Sequence, residues 1–351
     1  MTDMQRLIQK IVTEAVHAPS GENCQPWTFA INGETLFVFN DEQADFSLYN
    51  QDQKASYFAH GALLENIAIS SKHYGYESLI TVFPKEGDRL CTASITFLKN
   101  ETIEDELYPY IFTRTSNRQE YEDRRITKNE EMALIGATNN QDYTCHVINT
   151  QKGVEGMAKG VAMYEKIIFT DKNSHAYLFE HIIWHKKEEN EGVGLYIKTI
   201  ESAPYKIIGM RVLANWTLVS FLNYFGLSSI IYTMHQKKYT QSGAFAAIIT
   251  KGNTNKDYIL AGRAFQRVWL TAEKLGLSVE VHAGVLYMMK YLEHNENIVT
   301  VQVKKLIRKG YSQIEKMFDK KGTITIVFRL GYAPAPLSRS ERKSPIITID
   351  E

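Results

Sequence analysis

The chain has 351 residues, 44% hydrophobic and 23% charged, which fits one large or two ordinary globular domains and excludes a disordered or fibrous chain. Forty Lys and Arg balance forty Asp and Glu, so there is none of the basic excess that a nucleic-acid partner requires. Cys24, Cys91 and Cys145 are too few and too scattered for a disulfide framework or a metal site. The opening MTDMQRLIQK lacks the apolar run of a signal peptide, so a reducing, cytoplasmic setting is expected.

Met4, Leu7, Ile8, Ile11, Val12 and Ala15 recur at helical spacing and predict a first helix. It runs into Ala18-Pro-Ser-Gly-Glu-Asn-Cys-Gln-Pro-Trp27, a connection far longer and stiffer than a helix-to-strand turn needs. A helix C-cap plus a turn accounts for Gly21 and Pro26 but not for the whole string. Trp27–Ile31 and Glu34–Val38 then read as a hairpin with an Asn32-Gly33 turn. Ala59–Tyr76 reads as an amphipathic helix and Ala93–Leu98 as a strand.

Arg114-Thr-Ser-Asn-Arg118 follows. Two forked guanidinium groups around hydroxyls suit a phosphate, but basic loop pairs are usually solvated surface, and both readings stay open. Thr127 and Glu130 form a capping box that opens another helix. It leads into residues 137–148, which repeat the helix-to-strand course without the Pro-Ser-Gly, the second Pro or the Trp.

His181 and His185 have the spacing of a zinc-protease helix without its glutamate, and read as a helix-face pair. Gly192-Val-Gly194 lacks the third glycine and preceding strand of a dinucleotide site. Cys24 has no basic neighbour to activate it and reads as a space-filler. There is no Gly-x-Ser-x-Gly, and no catalytic side chain is singled out. Leu213–Met234 carries no charge over a bilayer-spanning length, but its Asn, Ser and Thr residues and Gly226 favour a broken helix pair over a membrane span.

Ala261–Leu277 repeats Ala59–Tyr76 at an offset of 201 residues: Gly61 matches Gly262 and Gly75 matches Gly276, with Leu64 against Phe265 and Ile67 against Val268 in phase. Thr323–Phe328 then answers Ala93–Leu98. The glycine register points to duplication, giving a division into 1–110 and 111–351 with an extra apolar segment at about 185–241.

Together, APSGENCQPWTF at 18–29, RTSNR at 114–118, AGRAFQRVWLTAEKLGL at 261–277 and FRLGYAPAPLSRSERKSP at 328–345 resemble the flavin-dependent nitroreductase superfamily. The order and the repeat look like its fused, Acg-type subgroup, in which one chain folds as a pseudo-dimer. The resemblance implies an α+β fold with a mixed or antiparallel sheet flanked by helices, in two pseudo-symmetric halves binding one FMN. It implies that Pro19, Ser20, Gly21, Asn23 and Gln25 line the flavin ring, and that Arg114, Ser116 and Arg118 hold its phosphate. Gly284 would offer a backbone N–H to the ring nitrogen N5, and either Arg339 or Arg342 would close on the phosphate. The implied activity is oxidoreduction with NAD(P)H as donor and a nitroaromatic or quinone as small-molecule acceptor. The alternative is an FMN-sequestering protein whose insert covers the flavin as a lid. A monomer is expected to suffice, because the dimer is fused, with further self-association open.

Overall fold

The computed structural model describes every residue except Phe46, Leu48, 101–103, 139–141, 188–193, 201–202, 298, 319–321 and 351, and the side chain of Asp350. The first half runs α1 (Asp3–Ala15), β1 (Trp27–Asn32), β2 (Thr35–Asn40), α2 (Lys54–His73), β3 (Tyr76–Val82) and β4 (Cys91–Lys99). After a turn of helix, α3 (Tyr110–Thr113), come α4 (Lys128–Gly136) and β5 (Tyr143–Ile148). A long excursion follows: α5 (Gln151–Val161), α6 (Met163–Ile168), α7 (Lys172–Glu180), β6 (Ile182–Ile183), β7 (Leu195–Tyr196), α8 (Ile197–Ile200), α9 (Pro204–Leu213), α10 (Trp216–Asn223) and α11 (Leu227–Thr240). The chain closes with β8 (Ala244–Thr250), α12 (Asn255–Lys274), β9 (Ser278–Val281), α13 (Gly284–His294), α14 (Val301–Glu315), β10 (Thr323–Gly331) and β11 (Ile347–Asp350).

The fold is α+β, with two sheets of matching order. β1-β2-β4-β3 of the first half answers β5-β8-β10-β9 of the second. The second sheet is antiparallel, whereas β11 makes the first one mixed by pairing parallel to β1, Phe29 opposite Ile347. The last strand therefore joins the sheet of residues 1–110, although its position in the chain places it in the second half.

The repeated helices α2 and α12 cross at the glycines that set the sequence register. A Cβ on Gly61 would lie 2.0 Å from Ile259 O, and one on Gly262 would lie 1.9 Å from Phe58 O. Residues 58 and 259, like 61 and 262, differ by the repeat offset, so the contact is symmetric. Any side chain at either position would force the backbones apart. The partner helix covers what would otherwise be a solvated face, and α2 is buried on all sides from Ser56 to Ser71 instead of being amphipathic. Phe58 packs on Phe265, and Gln266 donates to Asn66 across the pair.

Local chemistry explains most boundaries. Thr2 caps α1 and Thr127 caps α4, each in a reciprocal capping box. The β1–β2 hairpin differs from expectation: Asn32 pairs with Thr35, so the loop is Gly33-Glu34. Gly33 leads it with φ 59°, a turn that needs glycine first and not an Asn-Gly centre. The excursion between β5 and β8 also begins earlier than residue 185, at α5, and α13–α14 form a second one that the sequence pattern did not announce.

Leu213–Met234 is broken as expected. Gly226 (φ 84°) stands between α10 and α11, which bend by 90°, and no single described helix is long and apolar enough to cross a membrane. Val219 and Ile231 pack with Ile168 and Phe169, while Phe221, Tyr224, Phe225, Ile230 and Met234 are exposed.

Candidate functional site

The loop after α1 is held in an unusual backbone conformation. Glu22, Asn23 and Gln25 have φ of 48°, 62° and 54°, a left-handed region that costs each non-glycine residue on the order of 1 kcal/mol. Gly21 lacks positive φ, and a Cβ there would meet only Asp45 at 3.6 Å, so neither space nor backbone conformation demands glycine.

Side chains from several elements fix the loop. His60, fully buried on α2, donates from Nε2 to Pro26 O at 2.7 Å. Burial lowers its pKa to about 4, so it is a neutral imidazole with Thr92 at its other nitrogen. Ser20 Oγ accepts from Gln25 N at 2.9 Å. The side chains of Asn23 and Gln25 reach the C-terminal arm: Asn23 donates to Glu341 O and accepts from Arg342 at 2.6 Å, and Gln25 Oε1 accepts from Lys343 N. Burial and nearby Asp45 drive the Cys24 thiol's pKa up, which keeps it an uncharged filler.

Residues 114–118 lie against the second sheet. Asn117 holds them there, its backbone N–H donating to Val279 O and its side-chain amide to Ser278 Oγ and Pro334 O. Below them, buried Arg329 pairs with Glu280 at 2.6 Å. Burial alone would raise the Glu280 pKa, but Arg329 and His282 hold it down to about 2. Asn117, His60 and the Glu280–Arg329 pair are positioning residues that motif reading missed. Asn117 stood inside the quoted pentapeptide and Arg329 inside the quoted 328–345 stretch, but nothing local to His60 or Glu280 marked a role.

Between loop and arm lies an open cleft with about 510 Å³ of empty space, lined by Pro19, Ser20, Glu22, Asn23, Ser116 and four arginines, Arg114, Arg118, Arg339 and Arg342, among others. Arg114 is not solvated surface, one of the two readings left open for it: it is 2% exposed, stacks 4.3 Å over the Trp269 ring and donates to His17 O. Desolvation, then Arg342 and Arg339, push its pKa down. Arg342 is lowered to about 10 by desolvation and by Arg339. Arg339 donates to Phe112 O and Arg114 O. Nε of Arg114 and Nε of Arg342 are buried without a hydrogen-bond partner. Converging cations with orphaned donors are costly unless an anion completes them, and a phosphate group, planar-fork compatible and doubly charged, fits this donor set.

Glu22 is the acid of the cleft. Burial raises its pKa to about 7, against a hydrogen bond from Tyr177 at 2.6 Å and the nearby His181. Gly194 N donates to Glu22 O, Leu195 and Thr199 line the cleft, and Arg118 donates to Thr199 O at 3.1 Å. The excursion therefore touches the cleft through α7, β7 and α8. Leu213–Met234, expected to cover it, lines no part of it.

Other expectations part from the geometry. Gly284 begins α13 and does not line the cleft; a Cβ on it would lie 2.2 Å from Tyr164, so close packing explains the glycine. Gly21 and Gln25 stand behind the lining. α7 ends at Glu180, so His181 and His185 do not share a helix face. Gly192 and Val193 lie outside the described residues, as do 139–141 of the second, shortened loop. Among the described residues, no cluster of three His, Cys, Asp or Glu could hold a metal ion.

No family model matches the chain. It is 19% identical over 337 residues to the uncharacterized protein MT1398 of Mycobacterium tuberculosis, a match over 95% of this chain; the chain spans about half, 47%, of that curated relative. Among solved structures it is similar to a nitroreductase with bound FMN from Bacteroides fragilis, at 10% identity and TM-score 0.36 over 68% of this chain and 95% of that one. It is also similar to the FMN-dependent nitroreductase NfnB of Mycobacterium smegmatis in complex with NADPH, at 12% identity and TM-score 0.35 over 67% and 92%.

Proposed function

We propose that the protein is an FMN-dependent oxidoreductase of the fused nitroreductase type, with its cofactor between the 19–23 loop and residues 114–118. One observation carries the reading: four arginines from two distant segments converge on one cleft, and two of their buried Nε donors lack an acceptor. Arg114 and Arg342 would take the phosphate, with Arg118, Arg339 and the Ser116 hydroxyl beside them. The stiff loop, pinned by His60 and by the C-terminal arm, would present Pro19, Ser20 and Asn23 to the ring without reorganising. Leu195 and Thr199 would exclude water. Gly284 is left out of this assignment because it packs on Tyr164.

FMN, when bound, supplies two-electron transfer between NAD(P)H and an electron-poor acceptor such as a quinone or nitroaromatic. The bonds from Tyr177 and Gly194 to Glu22 support a second reading, in which the excursion covers the cofactor and the protein holds FMN with little turnover.

The test is NAD(P)H oxidation by the FMN-loaded protein, with a quinone as acceptor. Quinone-dependent oxidation supports the oxidoreductase. Bound flavin that NADPH and NADH leave oxidised supports the second reading. A protein that takes up no FMN sinks both.

A further inference from the structure

We propose that the outer face of α9–α11 docks on an anionic lipid surface, the helices lying in the interface without crossing it. α10 packs on both α9 and α11, so the three form one contiguous unit. Tyr205, Ile208 and Val212 of α9 recur at i, i+3 and i+7, and Ile230 and Met234 of α11 at i and i+4; all are exposed. At the bend between α10 and α11, Phe221, Tyr224 and Phe225 are 58%, 87% and 72% exposed. Phe221 and Phe225 touch only edge to face, at 5.5 Å. So much exposed aromatic surface at one corner marks an interaction site, because contiguous apolar patches are rare on soluble monomers.

Charge selects the occupant. From Ala203 to Lys256 the sequence contains no Asp or Glu. Arg211 is exposed beside Ile208 and Val212, and Lys237 is exposed one turn beyond Met234 on the same stripe as Ile230. Lys166 approaches from α6, within 3.0 Å of Ser229. An apolar tip with aromatic side chains and a basic rim is the pattern of an interfacial helix on anionic lipid. A symmetric pairing with a second copy would set Arg211 and Lys237 against like charges with no acid on these helices to offset them.

The 351-residue chain should sediment with phosphatidylcholine vesicles carrying about 30% phosphatidylglycerol, and at least about tenfold less with pure phosphatidylcholine, since each cation near the surface contributes about fivefold. Phe221→Ser with Phe225→Ser should abolish sedimentation, and Arg211→Glu with Lys237→Glu should reduce it at least about tenfold. All four side chains are exposed, and circular dichroism checks that the variants stay folded. Absence of binding to the anionic vesicles overturns the proposal, as does binding that ignores both pairs of substitutions. A wild-type dimer in light scattering that Phe221→Ser with Phe225→Ser dissociates, with no vesicle binding, overturns it in favour of a second copy.

Discussion

Glu22 shows how a single residue reports on the cleft. Its carboxyl titrates at about 7 in the fold against 4.5 unfolded, because burial outweighs the bond from Tyr177. Between those values the folded state binds the extra proton, so this group's contribution to stability falls as pH rises through that window. Glu22→Gln removes the titration. In urea unfolding, its stability relative to wild type should rise by about 2 kcal/mol between pH 5 and pH 8. A difference that does not change with pH would mean that Glu22 is solvated. At this scale the resemblance was informative: of the residues it implied, Pro19, Ser20, Asn23, the arginines of 114–118 and both C-terminal arginines line one cleft. It was silent where partners are remote. Asn23 binds Glu341 and Arg342, more than 300 positions away, and no spacing rule announces such a contact.

At the scale of elements, the α2–α12 crossing organises the molecule, and the closest approach falls on two glycines. Gly262→Ala would place a methyl group 1.9 Å from Phe58 O, in backbone that cannot yield without separating the helices. We expect a loss of about 3 kcal/mol, at the upper end for overpacked cores. A loss below about 0.5 kcal/mol in denaturant unfolding, the scale of a surface substitution, would show that the crossing is looser. The repeat exposed this pair because close backbone approach leaves only glycine, and it did so at both positions. The repeat left an extra apolar segment at about 185–241, but gave neither the start of that excursion at α5 nor the second one at α13–α14. Residues 151–240 have no counterpart in the first half, and their packing on the cleft runs through Tyr177 of α7 and through β7 and α8, the last two too short to leave a periodic signal. The contact there is testable: Tyr177→Phe keeps the ring against Tyr49 but loses the bond to Glu22. If that contact holds the excursion closed, NADPH oxidation should rise about fivefold, the worth of one hydrogen bond. An unchanged rate would place the gate elsewhere.

At the scale of the whole molecule, the scaffold repeats and the cleft does not. Both sheets have the same strand order, and the helix pair meets at matching glycines. The cleft instead combines a loop of the first half with the 114–118 segment and the arm of the second, and β11 locks that arm onto β1. The fold class was legible through the resemblance, and the repeated helix faces and glycines marked the α2–α12 pair that the structure brings together. The strand exchange was not legible, since a four-residue strand in a parallel pair has no signature of its own. In the proposed reading, this asymmetric cleft holds one flavin by its phosphate. Fluorescence titration of the wild type and of Arg114→Ala with Arg342→Ala, each against FMN and riboflavin, addresses it most directly. We predict one FMN per chain, riboflavin bound at least about a hundredfold more weakly, and a double variant that no longer distinguishes them, because each charge-assisted bond to phosphate contributes about 1.5–3 kcal/mol. Equal affinity of the wild type for FMN and riboflavin, or two flavins per chain, would contradict the account.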